Sequence, residues 1–162
     1  MKISQMIIII LCCFFVSACN KEEAEIINYY DLRTNKTLSF DLKNLEFSNG
    51  HTVLELFVCP DNSEIICVVG GPTFAIPRKF DPKDTSWKFD KYIFNNRGLE
   101  TIKLMGKSYD VYRIELADSG GWLWYLYSMK HGLLAIGSRE EKTINTAYIL
   151  QNLCGLRAST RC

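Results

Sequence analysis

Short apolar runs alternate with turn residues along most of this sequence, and that pattern favours a fold built mainly from β-strands. Asn49-Gly50 is a strong hairpin signal, because both residues tolerate positive φ. Gly106-Lys107 and Lys130-His131-Gly132 separate later apolar runs in the same way. We therefore predict an antiparallel sheet of about 7–8 short strands.

One helix is predicted near the C-terminus, packed on the sheet. Ser138 and Glu141 have the spacing of a capping box, in which glutamate follows a serine N-cap by three residues. Gly155 is placed for a C′ cap. The apolar surface between these signals consists of Ile144, Ala147, Tyr148, Ile149, Leu150 and Leu153. The predicted fold class is therefore α+β, mainly β, in a single domain over residues 25–162.

Two segments rich in aromatic residues have different predicted roles. Residues 122–127 (WLWYLY) are continuously apolar, which predicts a central strand covered on both faces. Residues 77–90 are charged and turn-rich, with Phe80, Trp87 and Phe89 embedded in them. Large aromatic side chains on a loop are typical of protein–protein hot spots, so these three residues are the predicted binding site. The alternative is that their rings pin the loop to the sheet.

The first residues have the layout of a bacterial export signal. Lys2 supplies a positive charge, and residues 7–16 are ten uninterrupted apolar residues, fewer than the roughly 20 that a spanning helix needs. The run ends in Val16-Ser17-Ala18-Cys19, which resembles the lipobox of bacterial lipoproteins. The resemblance implies diacylglyceryl transfer to the Cys19 thiol and cleavage before this residue. The alternative is an ordinary secretory signal that happens to end in Ala-Cys.

The resemblance also divides the chain and implies a location. Residues 1–18 are the expected signal peptide, 19–24 a lipidated tether, and 25–162 the folded domain. Asn20 occupies the position where aspartate would resemble an inner-membrane retention signal. The expected location is therefore the cell envelope, at the outer membrane facing the periplasm. Acyl chains such as palmitate would hold the protein there, since two lipid signals give stable anchoring.

Four cysteines follow residue 19, and their even number in an oxidising compartment predicts two disulfides. Three pairings are possible. Both local intervals have the spacing C-x7-C around turn residues, which favours Cys59–Cys67 and Cys154–Cys162. Zinc binding is the competing interpretation, but the C-x2-C spacing of zinc knuckles is absent. No metal site is predicted.

The rest of the sequence offers little for catalysis. Without Lys2, 18 basic residues balance 18 acidic ones, which removes the electrostatic reason to expect nucleic-acid binding. His51 and His131, the two histidines, lie among turn residues, and a Gly-x-Ser-x-Gly motif is missing. Asp110 and Glu115 lie on a predicted strand whose side chains face solvent alternately. We therefore predict neither an enzyme nor a cofactor.

These features favour binding over chemistry. The leading hypothesis is a lipid-anchored periplasmic module that binds another protein, as an inhibitor or immunity-type protein against a toxin or a wall-degrading enzyme. A rigid domain with disulfides lowers the ordering cost of such binding. One alternative is a structural or accessory subunit of an envelope or secretion assembly. Another is a carrier of a small apolar ligand.

Overall fold

Thirteen β-strands form the part of the chain described by the computed structural model, which covers residues 26–118, 121–140, 143–151 and 155–156. No helix occurs in these ranges. The strands are β1 (Ile26–Asp31), β2 (Lys36–Asp41), β3 (Glu46–Ser48), β4 (Val53–Glu55), β5 (Phe57–Val58), β6 (Ile65–Val69), β7 (Phe74–Pro77), β8 (Ser86–Phe89), β9 (Tyr92–Leu104), β10 (Lys107–Asp118), β11 (Gly121–Ser128), β12 (Gly132–Glu140) and β13 (Thr143–Leu150).

Ten of the strands form one antiparallel sheet in the order β4-β3-β2-β1-β13-β12-β11-β10-β9-β8. The chain builds this sheet outwards from β1 to the edge strand β4 and then leaves it. Strands β5, β6 and β7 form a separate antiparallel sheet, after which β8 forms the opposite edge. The remaining strands return to the middle, where β13 pairs with β1. Along the chain, the small sheet therefore connects the two edges of the large sheet.

Aromatic rings fill the contact between the small sheet and the inner face of the large sheet. The ring centroids of Phe74 on β7 and Tyr125 on β11 are 5.2 Å apart. The Tyr125 hydroxyl donates a hydrogen bond to the Thr73 carbonyl. Further along the large sheet, Tyr29 pairs with Leu38 in the register, and both side chains are buried. Burying an apolar side chain of this size stabilises a fold by roughly 1.5–3 kcal/mol.

The predicted α+β class is wrong, because the segment expected to be helical forms strands. Ser138 lies on β12, Glu140 pairs with Thr143, and β13 continues to Leu150. Strand β13 lies between β12 and β1, where it satisfies backbone hydrogen-bonding groups of both neighbours. Its threonine and isoleucine residues favour the extended conformation. Long-range pairing therefore outweighs the local capping signal.

The number and extent of the strands also differ from the prediction. About 7–8 strands were expected, and the described residues form thirteen in two sheets. Strand β9 runs continuously through the polar residues 95–98, where it contains a β-bulge and Gly98 has a φ of 103°. Part of the loop expected at residues 77–90 is the edge strand β8.

Three predicted hairpins are present in the structure, and Lys130-His131-Gly132 lies where β11 turns into β12. Asn49-Gly50 lies between β3 and β4, and Gly50 has a φ of 84°. At the tip of the β9–β10 hairpin, Met105 and Gly106 have φ values of 47° and 81°. Two successive positive φ angles are typical of a type I′ turn, which matches the twist of the flanking strands. This turn lies one residue before the predicted Gly106-Lys107.

A buried tyrosine hydroxyl braces the place where the two halves of the large sheet meet. Tyr29 on β1 pairs with Leu150 on β13. The Tyr29 hydroxyl donates to the Leu133 carbonyl at 2.8 Å and accepts from the Leu156 N–H at 3.1 Å. Burial raises the pKa of Tyr29 well above its usual range. This hydroxyl therefore fastens β1 to β12 and to the segment that follows β13.

The antiparallel order gives the large sheet two distinct ends. We name one the tether end, because β1 begins there and residues 1–25 precede it. The β2–β3, β9–β10 and β11–β12 connections also lie at the tether end. The β1–β2, β3–β4 and β8–β9 connections lie at the opposite end, which we name the far end.

Candidate functional site

The aromatic residues predicted to form a binding site pack against the core. Phe80 is buried, and Trp87 and Phe89 are half-buried. The Trp87 ring stacks on Phe94 with centroids 5.9 Å apart, and its indole N–H donates to the Ala75 carbonyl at 2.9 Å. These contacts hold the charged segment on the sheet, in agreement with the alternative interpretation. A binding role for the three residues stays a prediction.

The disulfide predicted between Cys59 and Cys67 is confirmed, with Cα atoms 5.1 Å apart. Cys59 directly follows β5, Cys67 lies on β6, and both side chains are buried. The bond therefore closes the first hairpin of the small sheet. Cys19 and the predicted Cys154–Cys162 pair lie outside the described residues.

The aromatic run at residues 122–127 divides between the two faces of the large sheet. Tyr125 and Tyr127 point into the core and are 0% and 4% exposed. Trp122 and Trp124 lie on the outer face, where Trp122 is 43% exposed. The prediction that this strand is covered on both faces is therefore wrong. The sequence pattern hides the division, because tyrosine and tryptophan both count as apolar in a hydrophobic run.

The Trp124 ring lies across a glycine of the neighbouring strand. Trp124 pairs with Gly137 on β12, and a Cβ at Gly137 would overlap the indole ring. A glycine in a strand allows such close approach to the backbone. On β10, the Arg113 guanidinium lies over the same ring, 5.8 Å from its centroid. Gly137 and Arg113 together therefore define the position of the Trp124 ring.

Two arginines share one carboxylate beside the tryptophans. Glu115 pairs with Trp124 in the sheet register. Its Oε2 accepts from Arg97 Nε at 2.7 Å, and its Oε1 accepts from Arg113 Nε at 3.2 Å. Arg97 lies at the β-bulge of β9, and bulges redirect side chains in this way. The arginine side chains remain 51% and 44% exposed, so both also face solvent.

These residues form, with Ile93, a mixed apolar and cationic surface that we name the tryptophan patch. Phe94 pairs with Leu116, and continuing this register places Ile93 in the same row as Trp122. Ile93 is 55% exposed. The patch consists of Ile93, Arg97, Arg113, Glu115, Trp122 and Trp124. Tryptophan and arginine are enriched among the residues that dominate protein–protein binding energy. The patch therefore has the composition of a protein-binding surface.

The remaining titratable residues of the described ranges include potential metal ligands, among them both histidines and Asp110. No group of three His, Cys, Asp or Glu side chains there could hold a metal ion. His51 lies in the β3–β4 connection at the far end, whereas His131 lies in the β11–β12 connection at the tether end. Asp110 accepts a hydrogen bond from the Thr101 hydroxyl at 2.8 Å. Within the residues that can be described, the tryptophan patch is therefore the strongest candidate site.

No family model, curated protein or solved structure matches this chain. The described residues also contain no helix that is long and apolar enough to cross a membrane.

Proposed function

We propose that this protein is a lipid-anchored module of the bacterial cell envelope that binds another protein through the tryptophan patch. The observation that carries the proposal is Trp122, a large aromatic residue that is 43% exposed on the outer face of the sheet, two positions before Trp124 on the same strand. Anchoring through Cys19 is supported by the lipobox resemblance. Inhibition of a toxin or of a wall-degrading enzyme is the role that best suits an anchored binding module.

The patch is organised before any partner arrives. Its residues come from β9, β10 and β11, and each of these strands has a hydrogen-bonded neighbour on both sides. The Trp124 ring is further restrained by Arg113, and Arg113 is restrained by Glu115. Side chains that are already ordered lose little freedom on binding, so more of the contact energy becomes affinity.

The charges of the patch restrict the chemistry of the partner. Arg97 and Arg113 outnumber the single carboxylate of Glu115. A complementary surface would place carboxylates against the guanidiniums and an apolar side chain against the Trp122 ring. We therefore expect an acidic partner surface with an apolar residue at its centre.

Binding by a tryptophan variant provides the direct test. Trp122→Ala removes the exposed ring, and Val53→Ala is the matched control, because Val53 is 62% exposed on the edge strand β4, far from the patch in the strand order. We expect the full-length protein to capture one dominant toxin or wall hydrolase from periplasmic extract or from secreted proteins of related strains. Trp122→Ala should weaken that complex by about 2 kcal/mol or more, roughly thirty-fold in Kd, whereas the control should bind like the wild type.

Survival of cells provides a second measurement. A strain that lacks the protein should be killed or lysed by the captured protein, and the wild type, but not Trp122→Ala, should restore survival. Equal survival of all strains, or equal capture by Trp122→Ala, would refute inhibition through the patch. Capture of a set of envelope proteins without any change in survival would instead favour the accessory-subunit alternative.

A further inference from the structure

The tether end carries large apolar side chains that are exposed to solvent. Met105 at the tip of the β9–β10 hairpin is 77% exposed, Met129 in the β11–β12 connection 44%, and Leu45 in the β2–β3 connection 45%. Ile26, the first residue of β1, is 48% exposed. We name these four residues the apolar rim. All of them lie at the end of the sheet from which the N-terminal segment leaves.

A lysine accompanies the rim residue in each of the three connections. Lys43, Lys107 and Lys130 lie within two positions of the rim residue of the same connection. The acidic side chains at this end are those of Asp41, Glu46 and Glu55 on strands β2, β3 and β4. The Asp41 carboxylate accepts hydrogen bonds from the Lys43 and Asn44 N–H groups in the β2–β3 connection. Methionine or leucine next to an ammonium group suits the boundary between headgroups and acyl chains, where each finds its preferred surroundings.

The connections at the far end have a different composition. Asn49-Gly50 and Asp90-Lys91 contain no large apolar residue. Leu32 in the β1–β2 connection, at 76% exposure, is the exception, and it is followed by Arg33 and Thr34. Ile93, exposed near the start of β9, lies two positions after Lys91, so one such pair also occurs on a strand at the far end. The tether end differs because three of its connections each combine an exposed apolar residue with a lysine.

Internal contacts bring two of the rim connections together. The Tyr109 ring on β10 packs edge-on against His131, with ring centroids 5.3 Å apart. Residues Lys107–Asp110 of β10 pair with β9 but not with β11. The contact between Tyr109 and His131 nevertheless places the β9–β10 hairpin beside the β11–β12 connection. Met105 and Met129 therefore belong to one neighbourhood of the surface.

We propose that the tether end lies on the phospholipid surface to which Cys19 is anchored, with the apolar rim in the interfacial region. This proposal rests on the lipid-anchored part of the proposed function. From Cys19 to Ile26 the chain advances seven positions, so the fully extended tether spans at most about 25 Å. A tether of this length keeps the end from which it leaves close to the bilayer. Rim side chains then bury apolar surface, and the lysines face lipid phosphates.

This orientation turns the most exposed tryptophan away from the lipid. Trp122 lies one residue after the start of β11, at the far end, whereas Met129 directly follows the last residue of the same strand. Seven positions separate the two residues, which corresponds to about 23 Å along a strand. Contact of Met129 with the bilayer therefore leaves Trp122 accessible to a partner arriving from the aqueous side.

Site-specific photocrosslinking in the full-length, membrane-bound protein tests the orientation. Benzoylphenylalanine replaces Met105 in one variant, Met129 in a second and His51 in a control. His51 is exposed at the far end. All three residues are exposed and lie in connections between strands, so the fold should tolerate the probe. After irradiation of intact envelopes, we expect lipid adducts on the peptides containing positions 105 and 129, at least about ten-fold above those at position 51.

Fractionation and palmitate labelling of the same samples separate this proposal from the anchoring itself. Membrane-bound, labelled protein without lipid adducts at 105 and 129, or with protein adducts there, would overturn the orientation and leave the anchor intact. Equal lipid adducts at all three positions would also overturn it. Unlabelled protein in the soluble fraction would overturn both the anchor and the orientation.

Discussion

Replacing Tyr29 by phenylalanine tests whether one hydroxyl fastens the middle of the large sheet. The substitution keeps the ring that packs edge-on against Phe40. It removes the hydroxyl, whose O–H donates to the Leu133 carbonyl and whose oxygen accepts from the Leu156 N–H. Leu156 is 1% exposed, so its N–H would lose this acceptor where water cannot replace it. An unsatisfied buried polar group costs about 1–3 kcal/mol, and we expect Tyr29→Phe to lower the free energy of unfolding by about 2 kcal/mol.

The neighbouring tyrosine provides a matched control. The Tyr30 hydroxyl bonds the exposed Asn35 side chain, so Tyr30→Phe should change the free energy of unfolding by less than about 0.5 kcal/mol. Urea unfolding followed by tryptophan fluorescence measures both variants. A loss at Tyr29→Phe no larger than that at Tyr30→Phe would refute the role assigned to the hydroxyl.

The same hydroxyl predicts how stability changes in alkaline solution. Because burial raises the pKa of Tyr29, the folded protein keeps a proton that the unfolded chain loses above about pH 10. The contribution of this group is therefore fully present below about pH 10 and is lost as the pH rises, by about 1.4 kcal/mol per pH unit. Between about pH 10 and 11, where the unfolded tyrosine is only partly ionised at first, the wild type should lose about 1 kcal/mol more stability than Tyr29→Phe.

Two further predictions concern a buried carboxylate and the disulfide. Burial acts to raise the pKa of Asp31, but hydrogen bonds from the Thr34 hydroxyl and from backbone N–H groups outweigh it, so the pKa is lowered. The stabilisation by the Asp31 carboxylate is thus present above about pH 4 and is lost as the pH falls through the lowered pKa. Asp31→Asn should lower the free energy of unfolding by about 1 kcal/mol at neutral pH. Urea unfolding that shows the same acid sensitivity in the wild type and in Asp31→Asn would contradict this role. Replacing Cys59 and Cys67 together by serine opens a link with a sequence separation of 8 and should cost about 2–3 kcal/mol; thermal melting that is unchanged by the substitution would argue against it.

Local sequence was sufficient where a local conformation decides the structure. Asn49-Gly50 and Gly106 lie in tight turns because these turns need positive φ angles, which few residues adopt readily. The Cys59–Cys67 bond joins cysteines on either side of one short connection. In each case the residues that determine the structure are neighbours in the chain, so their pattern could be recognised.

Sequence reasoning failed where partners distant in the chain decide the structure. The apolar residues of β13 satisfy the spacing of a helix face as well as that of a strand, and only pairing with β1 and β12 selects the strand. The tryptophan patch was missed for a similar reason. Gly137, Arg113 and Trp124 lie on three different strands, and only the sheet register brings them together. The available signal was the spacing on β11, because the tryptophans at positions 122 and 124 and the tyrosines at 125 and 127 fall on opposite faces of a strand.

Strand β1 lies between β2 and β13 in the large sheet. It can therefore pair with its second neighbour only after the chain has been made as far as β13. Tyr29 and Leu156, joined by a hydrogen bond, are 127 positions apart, and contacts across so long a loop form slowly. During synthesis, the large sheet therefore remains incomplete until β13 has emerged. A chain that stops before β13 leaves β1 and β12 as two open edges, each able to pair with another molecule. Premature termination is thus expected to produce an aggregating species rather than a smaller folded one.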